Sequence, residues 1–423
     1  MVSVCLYLFV HQPYRLKKFQ FFHIGEDQDY FDDDLNRDIF SRISDKSYIP
    51  ANEMLINLIR KYKGKFKISL SISGITIEQM ARYHPEVLES FQELVNTGCV
   101  EFLAGTYYQS LSYIYSRKEF IEQVAKHKRI VEKYFNQSPL VFRNSGLLYN
   151  DELSEIISKL GFKGVLVDAN KVLKNEVEQN YLYTTPNDSR IILFPKNINL
   201  SEDISKRFSE KKWSEWPLTP QKYSSWIEKL DGVGDIVNLF MPYEIIGEHH
   251  GIETGILDFF KKLPELILSN PNNKFVTPTE AIETLPKRKS LSFKDLTFET
   301  KMQTDLLDVW LGNDMQKDAI SKYYELEERV HNTNDSHLIE DWRKLSTLDH
   351  YFYMNTVQFK SGNKFENVYG SPYDAYLYYM NTLTDIENKL KMKNLKSELS
   401  EIRTKQFGTI NNSNLSDIKN QVR

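Results

Sequence analysis

From Val2 to about Thr277 the chain alternates short apolar runs with amphipathic stretches. The runs are SVCLYLFV, FKISLSIS, VEFLAGT, LVFRNS, GVLVDA, RIILFPK, DIVNLFMPYE and NKFVTPTEA. Several are continuous β-branched and aromatic segments of about 4–8 residues, the pattern of strands covered on both faces. Between them lie ANEMLINLIRKYKG, HPEVLESFQELVNTG and DELSEIISKLGF. In the second, Val87, Leu88, Phe91, Leu94 and Val95 fall on one helical face. Each stretch ends near a glycine suited to the residue after a helix C-terminus. Strand–helix alternation of this kind predicts a parallel α/β sheet or barrel.

After about residue 290 strand-like runs largely disappear. ISKYYELEERVHN, HLIEDWRKLSTLDHYFYMNT and DAYLYYMNTLTDIENKLKMKNLKSELSEIR read as charge-rich helices. The shift divides the chain into a domain over 1–290 and a helical region over 291–423. From Gln406 onward the polar string NNSNLSDIKN predicts a frayed end.

Composition narrows the function classes. Hydrophobic residues make up 41% and charged residues 26% of the 423 positions, which excludes disorder as a reading of the whole. A formal charge of −4 offers no reason to expect nucleic acid. Aromatic content is 13%, compatible with rings offered to sugar faces, although core packing accounts for most such rings. Cys5 and Cys99 sit in apolar runs and read as buried free thiols, without a CxxC pair. MVSVCLYLFV lacks a basic n-region, and no segment approaches about 18 uninterrupted apolar residues. The expectation is a soluble, cytoplasmic protein with no membrane partner.

Four ordered blocks carry a resemblance: VHQPYRL (Val10 to Leu16), GCVEFLAGTYYQSLSYIYS (Gly98 to Ser116), FRNSGLLYND (Phe142 to Asp151) and LFMPYEIIGEHHG (Leu239 to Gly251). TPTEAI, WLGNDMQ and SPYDAYLYYMN extend it over nearly the entire chain. Together they resemble an α-amylase-like member of glycoside hydrolase family 57. The resemblance implies an incomplete (β/α)7 barrel followed by a C-terminal α-helical region. Each block sits at or just past a strand end, where parallel barrels collect their chemistry.

A retaining glycosidase needs two carboxyl groups about 5–5.5 Å apart, one as nucleophile and one as acid/base. The family's nucleophile is a Glu in a segment written FRNTELIYN, and Gly146 stands in its place. The acid/base is an Asp in a segment written MDYETFGEH, and Pro242 stands there. The family's LAETYYHSL reads LAGTYYQSL, so Gly105 and Gln109 replace a carboxylate and an imidazole. Neither glycine nor proline can attack a carbon or deliver a proton. The catalytic pair is absent within a retained apolar frame.

The resemblance leaves His11, Tyr107, Glu244, Glu248, His249 and Trp310 as candidate contacts for an α-glucan or oligosaccharide. His11 and Glu248 serve equally well as structural groups, and a lone Trp310 is more often core. Glu101 and Asp168 are further acids at strand ends. No metal is expected: His249 and His250 are adjacent and would point to opposite faces of a strand. His23, His84 and His127 read as surface residues in charged or polar contexts, and no cofactor is implied. The sequence therefore predicts an inactive α-amylase-like homologue kept for glycan binding or as a partner of carbohydrate-active enzymes. The alternative is an active α-glucan hydrolase or glucanotransferase using displaced carboxylates.

Overall fold

The computed structural model describes residues 2–26, 29–173, 175–297, 300–301, 304–360 and 367–421. They group into two compact units. One comprises 1–15, 32–312 and 347–349; the other comprises 16–31, 313–346 and 350–423.

The first unit is α/β. Among the described residues seven strands form one parallel run: β1 (Ser3–Val10), β2 (Ile68–Ile72), β3 (Val100–Phe102), β4 (Val141–Phe142), β5 (Gly164–Val167), β6 (Ile192–Pro195) and β7 (Ile236–Pro242). Their spatial order is β6-β5-β4-β3-β2-β1-β7. The β3–β4 junction is a bridge in which Ala104 N–H donates to Val141 O at 2.9 Å and Arg143 N–H to Ala104 O at 2.8 Å. Between β6 and β7 no regular ladder forms among the described residues. Asn238 fills that seam, its Nδ2 donating to Pro195 O at 2.9 Å and its carbonyl accepting from Asn197 N–H at 2.9 Å. This is the incomplete (β/α)7 barrel that the resemblance implies, built from the parallel strands that the alternation predicts.

All seven strands fall within the predicted apolar runs, and the eighth run supplies the short strand Lys274–Phe275 beside β1. Among the described residues four short strands had no such signal, two of them the antiparallel pair Thr300–Lys301 and Thr304–Asp305. Leu182–Thr184 pairs antiparallel to β6, and Lys287–Arg288 lies alongside it. The helix Pro85–Asn96 buries Val87, Leu88, Phe91, Leu94 and Val95, the predicted face. Gly98 follows it at φ +75°, a conformation L side chains rarely adopt. Alternation along β1 turns Cys5, Tyr7 and Phe9 toward the barrel interior, where they meet Leu103, Leu166 and Phe240.

The second unit is helical among its described residues apart from a single bridge, Leu16↔Phe31. Trp342 stacks on Tyr323 with ring centroids 4.5 Å apart, and its Nε1 donates to Tyr323 O at 3.1 Å. Asp385 accepts 2.6 Å bonds from Tyr30 OH and Gly25 N–H, which ties the 16–31 segment to the long helix Pro372–Gln421. That helix continues to Gln421, past the predicted fraying point at Gln406, because its backbone bonds are local and need no tertiary partner. ISKYYELEERVHN, predicted as one helix, is split into Asp314–Glu325 and Glu327–Asn332.

Candidate functional site

Strand alternation places the candidate site at the C-terminal ends of the strands. The interior face of β1 continues past Phe9 to His11. The register Val10↔Ile72 carries the same face of β2 on to Ser73, and Phe9↔Pro242 places Pro242 beside it.

His11 is held at both ring nitrogens. Nδ1 lies 2.7 Å from Ser73 Oγ and Nε2 lies 2.8 Å from Asp349 Oδ2, while the ring stacks on Phe9. Asp349 reaches this point because Leu348 N–H donates to Gln109 O at 3.2 Å. Ser73 is the residue before the helix Gly74–Tyr83, and its Oγ is 2.7 Å from Thr76 Oγ1. Neither Ser73 nor Asp349 was marked by the sequence motifs.

Arg143 and Gln109 lie beside Ser145, the residue before Gly146. The buried Arg143 guanidinium lies 3.7 Å from the Phe9 ring centroid and 5.2 Å from that of Phe240. Its Nη1 donates to Gln109 Oε1 at 3.0 Å, an oxygen that also accepts from Ser145 Oγ at 3.3 Å. Lys196, at the end of β6, places its Nζ 5.6 Å from the same Phe240 ring. Asp168, at the end of β5, accepts from Asn170 N–H at 2.9 Å.

Gly146 lies in the turn Ser145–Leu147 with φ +57°. A Cβ built there would stand 2.6 Å from Cη2 and 2.8 Å from Cζ3 of Trp310, well inside van der Waals contact. The indole, only 8% exposed, therefore takes the space a side chain at residue 146 would need. Gly105 is less restricted, since a Cβ there would meet only Arg143 O at 3.1 Å.

The remaining candidates are dispersed. Glu244 is buried and accepts from Tyr48 OH at 2.6 Å. Burial pushes its carboxyl above the usual range, against the lowering effect of that bond. Glu248 pairs with Arg42 and, at 3.9 Å, with Lys46. His249 donates its backbone N–H to Glu244 O at 2.8 Å. His250 uses both ring nitrogens within the fold, Nδ1 with Ser209 Oγ at 2.8 Å and Nε2 with Ile204 O at 2.9 Å. Tyr107 is buried, donates its OH to Glu78, and lies beneath Lys126 Nζ at 4.1 Å. Glu101 accepts from Thr279 N–H at 2.9 Å and Thr279 Oγ1 at 2.7 Å, and burial raises its pKa.

His127 corrects the sequence reading. Expected at the surface, it is buried, with Nε2–H donating to Ile72 O at 2.8 Å and Nδ1 accepting from Gly105 N–H at 3.4 Å. The neutral ring bridges the ends of β2 and β3, and burial lowers its pKa to about 4. Its spacing from Val124 and Val131, both buried on the same helix, is the signal that places it inward. Cys5 and Cys99 are buried free thiols, as read.

The sequence profile of Glycosyl hydrolase family 57 matches residues 5–294. A candidate α-amylase of Methanocaldococcus jannaschii is 32% identical over 416 residues, covering 94% of this chain and 87% of its own length. A branching enzyme of Thermococcus kodakaraensis, solved with glucose, superposes with a TM-score of 0.67 at 14% identity over 92% of this chain and 90% of that one. An α-amylase of Thermotoga maritima superposes at 0.60 and 13% identity, over 92% and 93% of the two chains. At these identities the two structures bear on the fold alone.

Proposed function

The chain belongs to glycosyl hydrolase family 57, and from that premise we propose a protein of α-glucan metabolism that no longer hydrolyses glycosidic bonds. It is retained for glycan binding or as a partner of carbohydrate enzymes, in the cytoplasm. The observation that carries this reading is the Gly146–Trp310 contact, an indole seated where the nucleophile side chain would extend. Pro242 at the acid/base position removes the second carboxylate, so neither half of the double displacement has its group. Among the described residues no helix is long and apolar enough to cross a membrane.

Hydrolysis through displaced acids finds less support. Glu244 is committed to Tyr48, Glu248 to Arg42 and Glu101 to Thr279. Glycan contact in the proposed reading draws on His11, Tyr107, Glu244, Glu248, His249 and Trp310. It begins at His11, Glu248 and His249, which retain exposed surface.

Reducing-sugar release from maltooligosaccharides and starch tests the loss of hydrolysis. Turnover that co-purifies with the protein and disappears in Glu244→Gln or Glu248→Gln would overturn it. Calorimetric titration with maltoheptaose then separates the two roles: saturable heat supports glycan binding, and its absence leaves the enzyme-partner role.

A further inference from the structure

At the ends of β1 and β2, His11 joins Ser73 and Asp349 through its two ring nitrogens. Gln12 N–H donates to Thr76 Oγ1 at 2.7 Å, and Thr76 Oγ1 is 2.7 Å from Ser73 Oγ. Thr76 Oγ1 also lies 3.4 Å from Gln12 O, to which it can donate, so the hydroxyls alone do not set the direction. The Asp349 carboxylate only accepts, so a neutral His11 donates Nε2–H to Asp349 Oδ2 at 2.8 Å and leaves Nδ1 to accept from Ser73 Oγ at 2.7 Å. A hydroxyl is thus directed at an unprotonated imidazole nitrogen while a carboxylate fixes the tautomer. A nucleophile, a base and an orienting acid stand in the relation that activates a serine.

The surroundings fit acyl chemistry. Alternation brings Ser73 and His11 to the interior side of neighbouring strands, at the end of the barrel where chemistry collects. The helix Gly74–Tyr83 opens directly after Ser73, so the Gly74 N–H has no acceptor within its helix. A first-turn N–H next to the nucleophile, at the positive end of the helix dipole, is suited to a developing oxyanion. Tyr107 packs so closely on Gly74 that a Cβ there would stand 2.3 Å from its ring, and Phe9 stacks on the imidazole. Those rings and the burial of Ser73 restrict the acyl group to a short one.

We infer that Ser73 is the nucleophile of an ester hydrolase for small acyl groups, with His11 as its base and Asp349 as the positioning residue. Ser73 Oγ adds to the ester carbonyl carbon as its proton passes to His11 Nδ1. The adduct collapses by cleaving the bond to the alkoxy oxygen, which leaves as the alcohol with that proton. Water then adds to the acyl-serine with Nδ1 as base. The bond to Ser73 Oγ breaks, the serine recovers the proton, and the acid departs. Ester and water become acid and alcohol. This activity goes beyond the glycan-binding reading and does not depend on it.

The full-length protein is incubated with an alkyl fluorophosphonate, and the adduct is mapped by peptide mass spectrometry. Hydrolysis of p-nitrophenyl acetate and butyrate is followed in parallel. The expected result is a single adduct on Ser73, lost in His11→Ala, with esterase turnover reduced at least about 100-fold in Ser73→Ala and His11→Ala. Asp349→Asn lowers kcat with little change in KM, which a purely structural contact would not do. Because the adduct is read on the wild-type chain, the test survives if a variant fails to fold. No adduct, an adduct on another residue, or labelling of Ser73 that persists in His11→Ala overturns the inference.

Discussion

The six-membered ring of Trp310 lies directly on Gly146, closely enough that a Cβ on the glycine would come within 2.6 Å of it. The two residues are complementary: the glycine has no side chain and the tryptophan uses the room. Glycine at residue 146 is thus required by packing as well as by its backbone conformation.

Gly146→Ala should destabilise the protein by about 2–4 kcal/mol. Its φ of +57° disfavours any Cβ, and the indole must shift. Trp310→Ala alone should cost about 3–5 kcal/mol through the cavity it leaves. Combined, the two should cost at least about 1 kcal/mol less than their sum, because the cavity relieves the clash. Urea unfolding of the four proteins measures this, and strict additivity would refute the contact.

Restoring both carboxylates as Gly146→Glu with Pro242→Asp should return no hydrolysis while Trp310 is present. Adding Trp310→Gly makes room for the glutamate and is the combination expected to release reducing sugar from maltooligosaccharides. Hydrolysis by the double variant with Trp310 intact would show that the indole does not obstruct the site.

His127 makes stability fall in acid. Its folded pKa of about 4 lies below the unfolded value, so its contribution is fully present above about pH 6.5. It is lost as pH falls toward 4, and by pH 4.5 about 2–3 kcal/mol should be gone. Protonation would set an N–H at Nδ1 against the N–H of Gly105. His127→Gln should show a shallower decline of the urea midpoint between pH 7 and 4.5. An equal decline in both proteins would assign the acid sensitivity to other groups.

Glu248→Gln should change stability by less than about 1 kcal/mol, since its partner Arg42 is about half-exposed and such pairs are weak. If Glu248 also touches glycan, maltoheptaose affinity should fall by more than this small change accounts for. Unchanged affinity would limit Glu248 to fixing its loop against Arg42 and Lys46.

The periodic elements were legible because their signals are local. Val87, Leu88, Phe91, Leu94 and Val95 declare a helical face, and the β1 run declares a doubly covered strand. Leu182–Thr184 escaped notice because three residues carry no usable alternation and its partners, β6 and Lys287–Arg288, are set by the tertiary fold. His127 was misplaced because charged neighbours outweighed its spacing from Val124 and Val131.

By itself the sequence determined the strand–helix alternation through short-range spacing, the family and its barrel through the ordered motifs that resemble it, and the residue types Gly146 and Pro242. Only the tertiary structure decided what packs against such positions. Trp310 reaches Gly146 from 164 positions along the chain, and Asp349 reaches His11 from 338. Such partners are chosen by packing and hydrogen-bond satisfaction in the closed fold, for which a linear pattern carries no period.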